Sequence, residues 1–317
     1  MQRENTRREG SPWRGLGVVV LKELSDHLTS ARMRVLEWLV VLTALAAVYA
    51  AIQQVRNVTA EDPFLFLRLF TTARAPLPSF VAFLGFLVPL MAIGLGFDAI
   101  NGEHNNRTLS RILSQPIYRD ALLFGKFIAG LATLSISLIA LWLLVIGLGL
   151  IMLGVPPGGE EMGRALVFLL VTIAYAGVWL ALAMLFSVVF RSPATAALVT
   201  LGLWLFLTVI WPALAPGVAE AILPTDNEAL LVTGAQMLAR LSPSTLFGET
   251  VLALLDPTTR TLGPVYISQL QGAVMGAPLP LGESVLIAWP QIVGLVAATI
   301  LLFVASYVTF QRQEVRA

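Results

Sequence analysis

Six stretches of this chain are each apolar for long enough to cross a lipid bilayer, and no other feature limits the fold as strongly. They are residues 35–52, 79–97, 124–154, 165–190, 194–214 and 285–310. A helix rises 1.5 Å per residue, so about 30 Å of hydrocarbon takes roughly 20 apolar residues. The third stretch exceeds that and has length to tilt or to extend past the bilayer. Composition agrees, with 57% hydrophobic and 12% charged residues. Soluble domains hold about 45–50% and about 25%. The predicted fold class is all-α, a polytopic membrane protein of six transmembrane helices. With no cysteine in the chain, disulfides, thiolate metal sites and cysteine nucleophiles are excluded. A net charge of +1 argues against a nucleic-acid partner.

Basic residues set the expected orientation. With residues 1–34 in the cytoplasm, the inner segments hold Arg3, Arg7, Arg8, Arg14, Lys22, Arg32, Arg34, Arg107, Arg111, Arg119, Lys126, Arg191, Arg312 and Arg316. The outer ones hold only Arg56, Arg68, Arg74, Arg164, Arg240 and Arg260. Six spans then return the tail, 311–317, to the cytoplasm. Residues 1–14 are polar and Arg-rich, and no short apolar run with a small-residue cleavage site follows. The first span, beginning near Val35, therefore reads as a retained anchor in a cell membrane.

Three connecting segments stand out. In residues 15–34, Val20, Leu21, Leu24 and Leu28 recur at helical spacing, with Lys22, Glu23, Ser25, Asp26 and Thr29 on the other side. Lys22–Asp26 and Glu23–His27 are i,i+4 pairs. This predicts an amphipathic helix lying at the inner interface, with lipid as its partner. The outer connection, 215–284, predicts helices near 228–241 and 244–255, broken at Pro243 and Pro257. It is itself apolar and is expected on or in the outer membrane surface.

The inner connection, 98–126, is the most informative. Asn105 or Asn106 can cap a short helix whose apolar stripe is Leu109, Ile112 and Leu113, continued by Ile117. Arg107, Ser110, Arg111 and Ser114 cover the rest, and Pro116 ends the helix. Glu103 and Arg107 are i,i+4 with the acid first, the better order. A short amphipathic helix on a polar stalk suits a groove in a partner protein. The same pattern also fits a helix resting at the lipid interface.

These residues carry a resemblance. The run Asp98-Ala99-Ile100-Asn101-Gly102-Glu103, then Arg107-Thr108-Leu109, then Leu113-Ser114-Gln115-Pro116-Ile117-Tyr118-Arg119, then Gly125-Lys126, resembles the cytoplasmic signature of ABC type-2 transporter permeases. Within that family the chain is similar to permeases resembling the membrane subunit of the nitrous-oxide-reductase copper-maturation transporter. Leu21-Lys22-Glu23-Leu24 and Phe310-Gln311-Arg312-Gln313-Glu314-Val315-Arg316 add to the likeness. His104-Asn105-Asn106 departs from it, since the family usually has charged residues and a glycine there.

The resemblance implies a six-helix transmembrane domain over 35–310, preceded by an interfacial elbow helix in 1–34, as in type V exporters. It implies a coupling helix in 98–126 that docks on a separate ATP-binding-cassette subunit holding ATP and Mg. The residues expected in that coupling are Asp98, Glu103, Arg107, Leu109, Arg111, Ile112, Leu113, Pro116, Ile117, Arg119 and Lys126, with Lys22 and Glu23 in the elbow. It implies a second permease copy, identical or homologous. It leaves open whether a solute is exported or force is passed to an outer-face accessory protein.

The residues fit a subunit without its own energy source. Gly125-Lys126 lacks the earlier glycine and following Ser/Thr of a phosphate-binding loop. The apolar centres of the six stretches are read as free of ionisable residues, which disfavours ion coupling. The two histidines, His27 and His104, are too few for a metal site, and no cofactor is expected on this chain. The eight methionines are scattered and read as packing. Nothing resembles a catalytic set. Gly94, Gly96, Gly147, Gly149 and Gly202 are candidate points of close helix approach.

Overall fold

The computed structural model describes residues 15–55, 64–75, 77–105, 119–154, 156–223, 227–263 and 278–313. An elbow helix, Leu16–Thr29, is followed after Ser30 by the first span, Ala31–Val55. Span two is Phe80–Asn105 and span three Arg119–Leu153. Span four is Gly159–Val189, span five Pro193–Ile222 and span six Leu281–Arg312. Between spans five and six stand two shorter helices, Glu228–Ala239 and Pro243–Leu255. Six helices are thus long and apolar enough to cross a membrane. Pro243 opens the second short helix, because its missing N–H costs nothing at a first helical position.

Span four is the axis of the bundle. In its most apolar window 72% of residues are buried, against 11% for span five and 17% for span six. Trp179, Tyr175 and Phe168 fill its surroundings, and Tyr175 stacks on Phe247 of the second short helix at 4.4 Å. Spans five and six instead display Leu198, Val209, Leu286 and Leu301, which in water would be a liability and in lipid is solvation.

Two spans carry interruptions that the bundle repairs. Pro89 lies inside span two, so its nitrogen cannot bond the Gly85 carbonyl. The Tyr175 hydroxyl supplies that bond at 2.9 Å and lies 2.9 Å from Ser244 Oγ, which lies 2.8 Å from Thr208 Oγ1. Each hydroxyl has one proton, so the chain runs from Thr208 through Ser244 and Tyr175 to Gly85. Thr208 sits in a π-turn, Phe206–Ile210, just before Pro212. Spans two, four and five and the second short helix are therefore tied where two of them are irregular.

Of the five glycines marked as close contacts, three are. A Cβ on Gly96 would stand 2.8 Å from Ala183 Cβ and 3.1 Å from the Leu180 carbonyl, so spans two and four touch there by backbone. Gly94 faces Leu36, and Gly149 faces Leu69 and Phe66. Gly147 and Gly202 face open space, which corrects that expectation for these two. The same substitution should therefore act in opposite directions. Gly96→Ala should cost about 1–3 kcal/mol through overpacking, seen as a lower melting temperature of the detergent-solubilised protein. Gly147→Ala should be neutral or stabilising, since alanine favours a helix.

Candidate functional site

The elbow helix reverses the usual amphipathic arrangement. Val18 and Leu21 are 70% exposed, whereas Glu23 is buried. An apolar face turned outward and a carboxylate turned inward suit a helix with lipid on one side and a charged partner on the other.

That partner is span three. A Cβ on Gly125 would meet Val19 Cγ1 at 2.6 Å, so only a glycine lets the elbow lie this close. The next residue, Lys126, is 6% exposed and reaches two acids. Its Nζ stands 3.0 Å from Glu23 Oε2 on the elbow and 2.7 Å from Glu103 Oε1 at the end of span two. Lys22 Nζ adds a contact to Glu23 Oε1 at 2.9 Å and to Asp26 at 3.0 Å. Burial alone would push the Glu23 carboxyl up. Its attraction to Lys126 and bonds from Lys22 and Lys126 outweigh that, and its pKa falls below the ordinary 4.5. Lys22 is held above its ordinary value despite partial burial, through Glu23 and Asp26.

A second clamp joins span one to span two. Arg32 Nη1 donates to Asp98 Oδ2 at 2.8 Å while its guanidinium lies over the Phe97 ring. Asp98 falls in a turn, 97–100, that interrupts span two before the helix resumes at Asn101–Asn105. The amides of Ile100 and Asn101 donate to Ser187 Oγ of span four at 2.9 and 3.3 Å. Asn101 Nδ2 donates to the Phe190 carbonyl and Asn105 Nδ2 to that of Arg191. Asn105 thus fastens the end of span two to the connection that follows span four.

Between these clamps lies a polar cavity of about 230 Å³, bordered by Glu23, His27, Arg32, Asp98, Glu103 and Lys126 among others. Burial lowers the His27 pKa from 6.5, with the positive fields of Lys126 and Arg32 acting the same way and those of Glu23 and Asp98 opposing. The start of span three is tied to the end of span six. Arg119 Nη1 donates to the Gln313 carbonyl at 2.9 Å, and Gln311 Nε2 donates to Asp120 Oδ1. Gln313 Nε2 donates to the Val188 carbonyl at 2.7 Å.

Of the sequence-derived residues, the structure brings Glu23, Glu103 and Lys126 into one cluster, with Lys22 at its rim and Asp98 in the neighbouring clamp. Arg119 is at the same end of the bundle but serves the span-six tie. Arg107, Leu109, Arg111, Ile112, Leu113, Pro116 and Ile117 lie outside the described residues. They sit between Asn105, fastened to the Arg191 carbonyl, and Arg119, fastened to the Gln313 carbonyl.

The opposite end has a hub that the sequence reading missed. Arg164, fully buried, donates to Glu160 Oε1 at 3.0 Å, to the Leu254 carbonyl at 2.8 Å, to Ser284 Oγ at 3.1 Å and to the Leu279 carbonyl. Glu161 accepts from the Phe66 amide at 2.8 Å. Glu249 gathers Gln236, Arg240 and Gln291 at 2.8–2.9 Å. The acid-first i,i+4 pair Glu160–Arg164 was the available signal. This end also has a cavity of about 580 Å³, bordered by Phe64, Arg68, Ser79, Asp256 and Thr258 among others.

Comparison with known proteins bears on what such a junction is for. The profile of the ABC-2 family transporter proteins matches residues 18–315. The chain is 30% identical over 196 residues to the probable ABC transporter permease protein NosY of Stutzerimonas stutzeri, covering 61% of this chain and 66% of that one. It is 36% identical over 151 residues to the probable ABC transporter permease protein NosY of Pseudomonas aeruginosa, covering 45% and 52%. The matches thus span less than two thirds of either relative's length.

Removing Lys126 would take away the buried cation that bridges Glu23 and Glu103, with Lys22 still at the rim against Glu23. Lys126→Gln should cost about 3–5 kcal/mol and expose the elbow to proteolysis after Thr29. Acid should loosen the same contact. Glu23 has a folded-state pKa below 4.5, so its contribution is present above that value and is lost as pH falls below it. His27, held below 6.5, stays neutral in the fold, so stability also declines as pH drops through 6.5 and the unfolded chain takes up the proton first. Elbow proteolysis measured from pH 8 to pH 4 should rise in both limbs, and His27→Gln should remove only the one near neutrality.

Proposed function

We propose, for a chain that belongs to the ABC-2 family of transporter proteins, that it is the permease subunit of an ATP-driven transporter and that its charged junction receives the stroke of a separate ATPase subunit. The protein is a multi-pass membrane protein. The observation that carries the coupling role is the pair of clamps at the foot of span two. Glu103 is held by Lys126, and Asp98 by Arg32.

The segment between Asn105 and Arg119 is the coupling element. Leu109, Ile112, Leu113 and Ile117 form the face that enters a groove of the ATPase, and Arg107 and Arg111 meet its rim. Pro116 ends the helix so that the chain can turn back into span three. A push on this segment reaches span two at Glu103 and Asp98 and span three at Lys126. The elbow, held by Glu23 and Lys22, moves with them. This end faces the cytoplasm, as the excess of basic residues supports. ATP and Mg belong to the partner. A second permease copy completes the membrane unit, and the exposed apolar faces of spans five and six are available to it and to lipid.

The far-end hub and its cavity favour a second reading of what the stroke accomplishes. Arg164 and Glu249 fasten the two short helices to spans four and six. Motion of the bundle therefore reaches an outer surface that could act on an accessory protein instead of passing a solute. The relatives' printed name, permease, supports transport as the first reading.

Leu109→Asp and Ile112→Asp should each abolish co-purification with the cognate ATP-binding-cassette subunit while leaving membrane insertion intact. Unchanged association in both variants would remove this segment from the docking role. Deleting residues 228–255 while measuring ATP turnover and substrate movement together separates transport from force transmission.

A further inference from the structure

The first of the stretches expected to be free of charge carries an acid inside it, which corrects that expectation for span one. Span one begins at Ala31, not near Val35, and Glu37 falls within it. Its Oε1 accepts from Ser137 Oγ of span three at 2.9 Å. Helix rise places it below the surface layer of charge. Glu37 lies three residues beyond Arg34, which is about 4.5 Å, and five beyond Arg32, about 8 Å, while Ser137 lies eleven beyond Lys126, about 16 Å. The carboxyl therefore sits just inside the inner edge of a hydrocarbon layer about 30 Å thick.

It does not face a packed wall. Glu37 and Ser137 border a cavity of about 230 Å³ between spans one, two and three, completed by Val40, Met91, Leu141 and Leu144 among others. No basic side chain borders it among the described residues. The neighbouring surface is open to lipid, with Trp38 65%, Ile136 46% and Ile139 42% exposed.

We propose that this is a binding site for a lipophilic monocation, an ammonium head carrying an alkyl tail, entering sideways from the bilayer. An acid taken out of water needs a counter-charge as well as a hydrogen bond, and Ser137 supplies only the second. A cavity near 150 Å³ holds benzene, so this one has room for a small ammonium head. Its apolar lining solvates the first methylenes of a tail that leaves past Ile136. An anion would meet the Glu37 charge unscreened, and a neutral alcohol would gain only the apolar lining. The inference concerns Glu37 and stands whether or not the junction couples to an ATPase.

The test uses the full chain in phosphatidylcholine nanodiscs. The probe is dodecyltrimethylammonium, charged at every pH, with a diazirine close to its head, and the control is the matching diazirine alcohol. Photolabelling of peptides covering 35–44 and 136–145 is normalised to labelling at lipid-exposed Leu198, which cancels partitioning. The cation should label these peptides at least tenfold more than the alcohol. Glu37→Gln, nearly the same shape, should abolish the preference, and Ser137→Ala should reduce it two- to threefold. Ala140→Leu narrows the cavity without touching the charge and should also abolish labelling, so the test survives a Glu37 variant that fails to fold. Equal labelling by both probes, cation labelling unchanged in Glu37→Gln or in Ala140→Leu, or no labelling of either peptide would overturn the site.

Discussion

A single buried lysine holds together the end of the molecule on which function is argued. Lys126 sits between carboxylates on two other helices, and without it the elbow and span two would bring acid against acid with the bridging cation gone. The geometry needs Gly125 beside it, because any side chain there would hold Val19 off and pull Glu23 out of reach. One glycine and one lysine thus convert an apolar helix lying at an interface into a part of the bundle. Hydrophobic attraction cannot do this in lipid, where an apolar surface is as well solvated outside the protein as in it. Polar ties set where helices meet, and small residues set how closely.

The same logic recurs away from the junction. The bundle is joined at the far end by Arg164 and Glu249, and in the middle by the relay from Thr208 to the Gly85 carbonyl. The middle tie is the weakest, three neutral hydroxyls around a proline break. It lies on span two, whose foot is held by Arg32, Lys126 and Ser187. A helix held rigidly at its base and interrupted halfway is built to bend at the interruption. Pro89 and the π-turn of span five share that level through Ser244, so bending one affects the other.

The spans were legible because twenty-odd apolar residues in lipid have only one way to satisfy their backbone. Their ends were read short by several residues, since Arg32, Glu103 and Arg119 belong to helices whose charges had marked them as loop. Gly125-Lys126 was legible as a motif but not as a mechanism. Nothing in the spacing says that Glu23, a hundred residues earlier, is the partner. The spacing places Glu23 on the polar face of a helix lying against lipid, but does not show that this face packs on span three, where Glu23 is buried. Glu37 was passed over because it falls two residues past the start of a hydropathy window, where an acid reads as an end marker. Only the pairing with Ser137 shows that it is inside.

The central claim is that elbow, span two and span three move as one body at the junction. Spin labels at Leu21 on the elbow and His104 on span two, both exposed, report this by electron–electron distance in the complex with the proposed ATPase subunit. The account predicts that the Leu21–His104 distribution stays the same when nucleotide is added, while the distance from His104 to a label at Thr258 on the far end changes. A Leu21–His104 distance that shifts with nucleotide, with the His104–Thr258 distance unmoved, would contradict it.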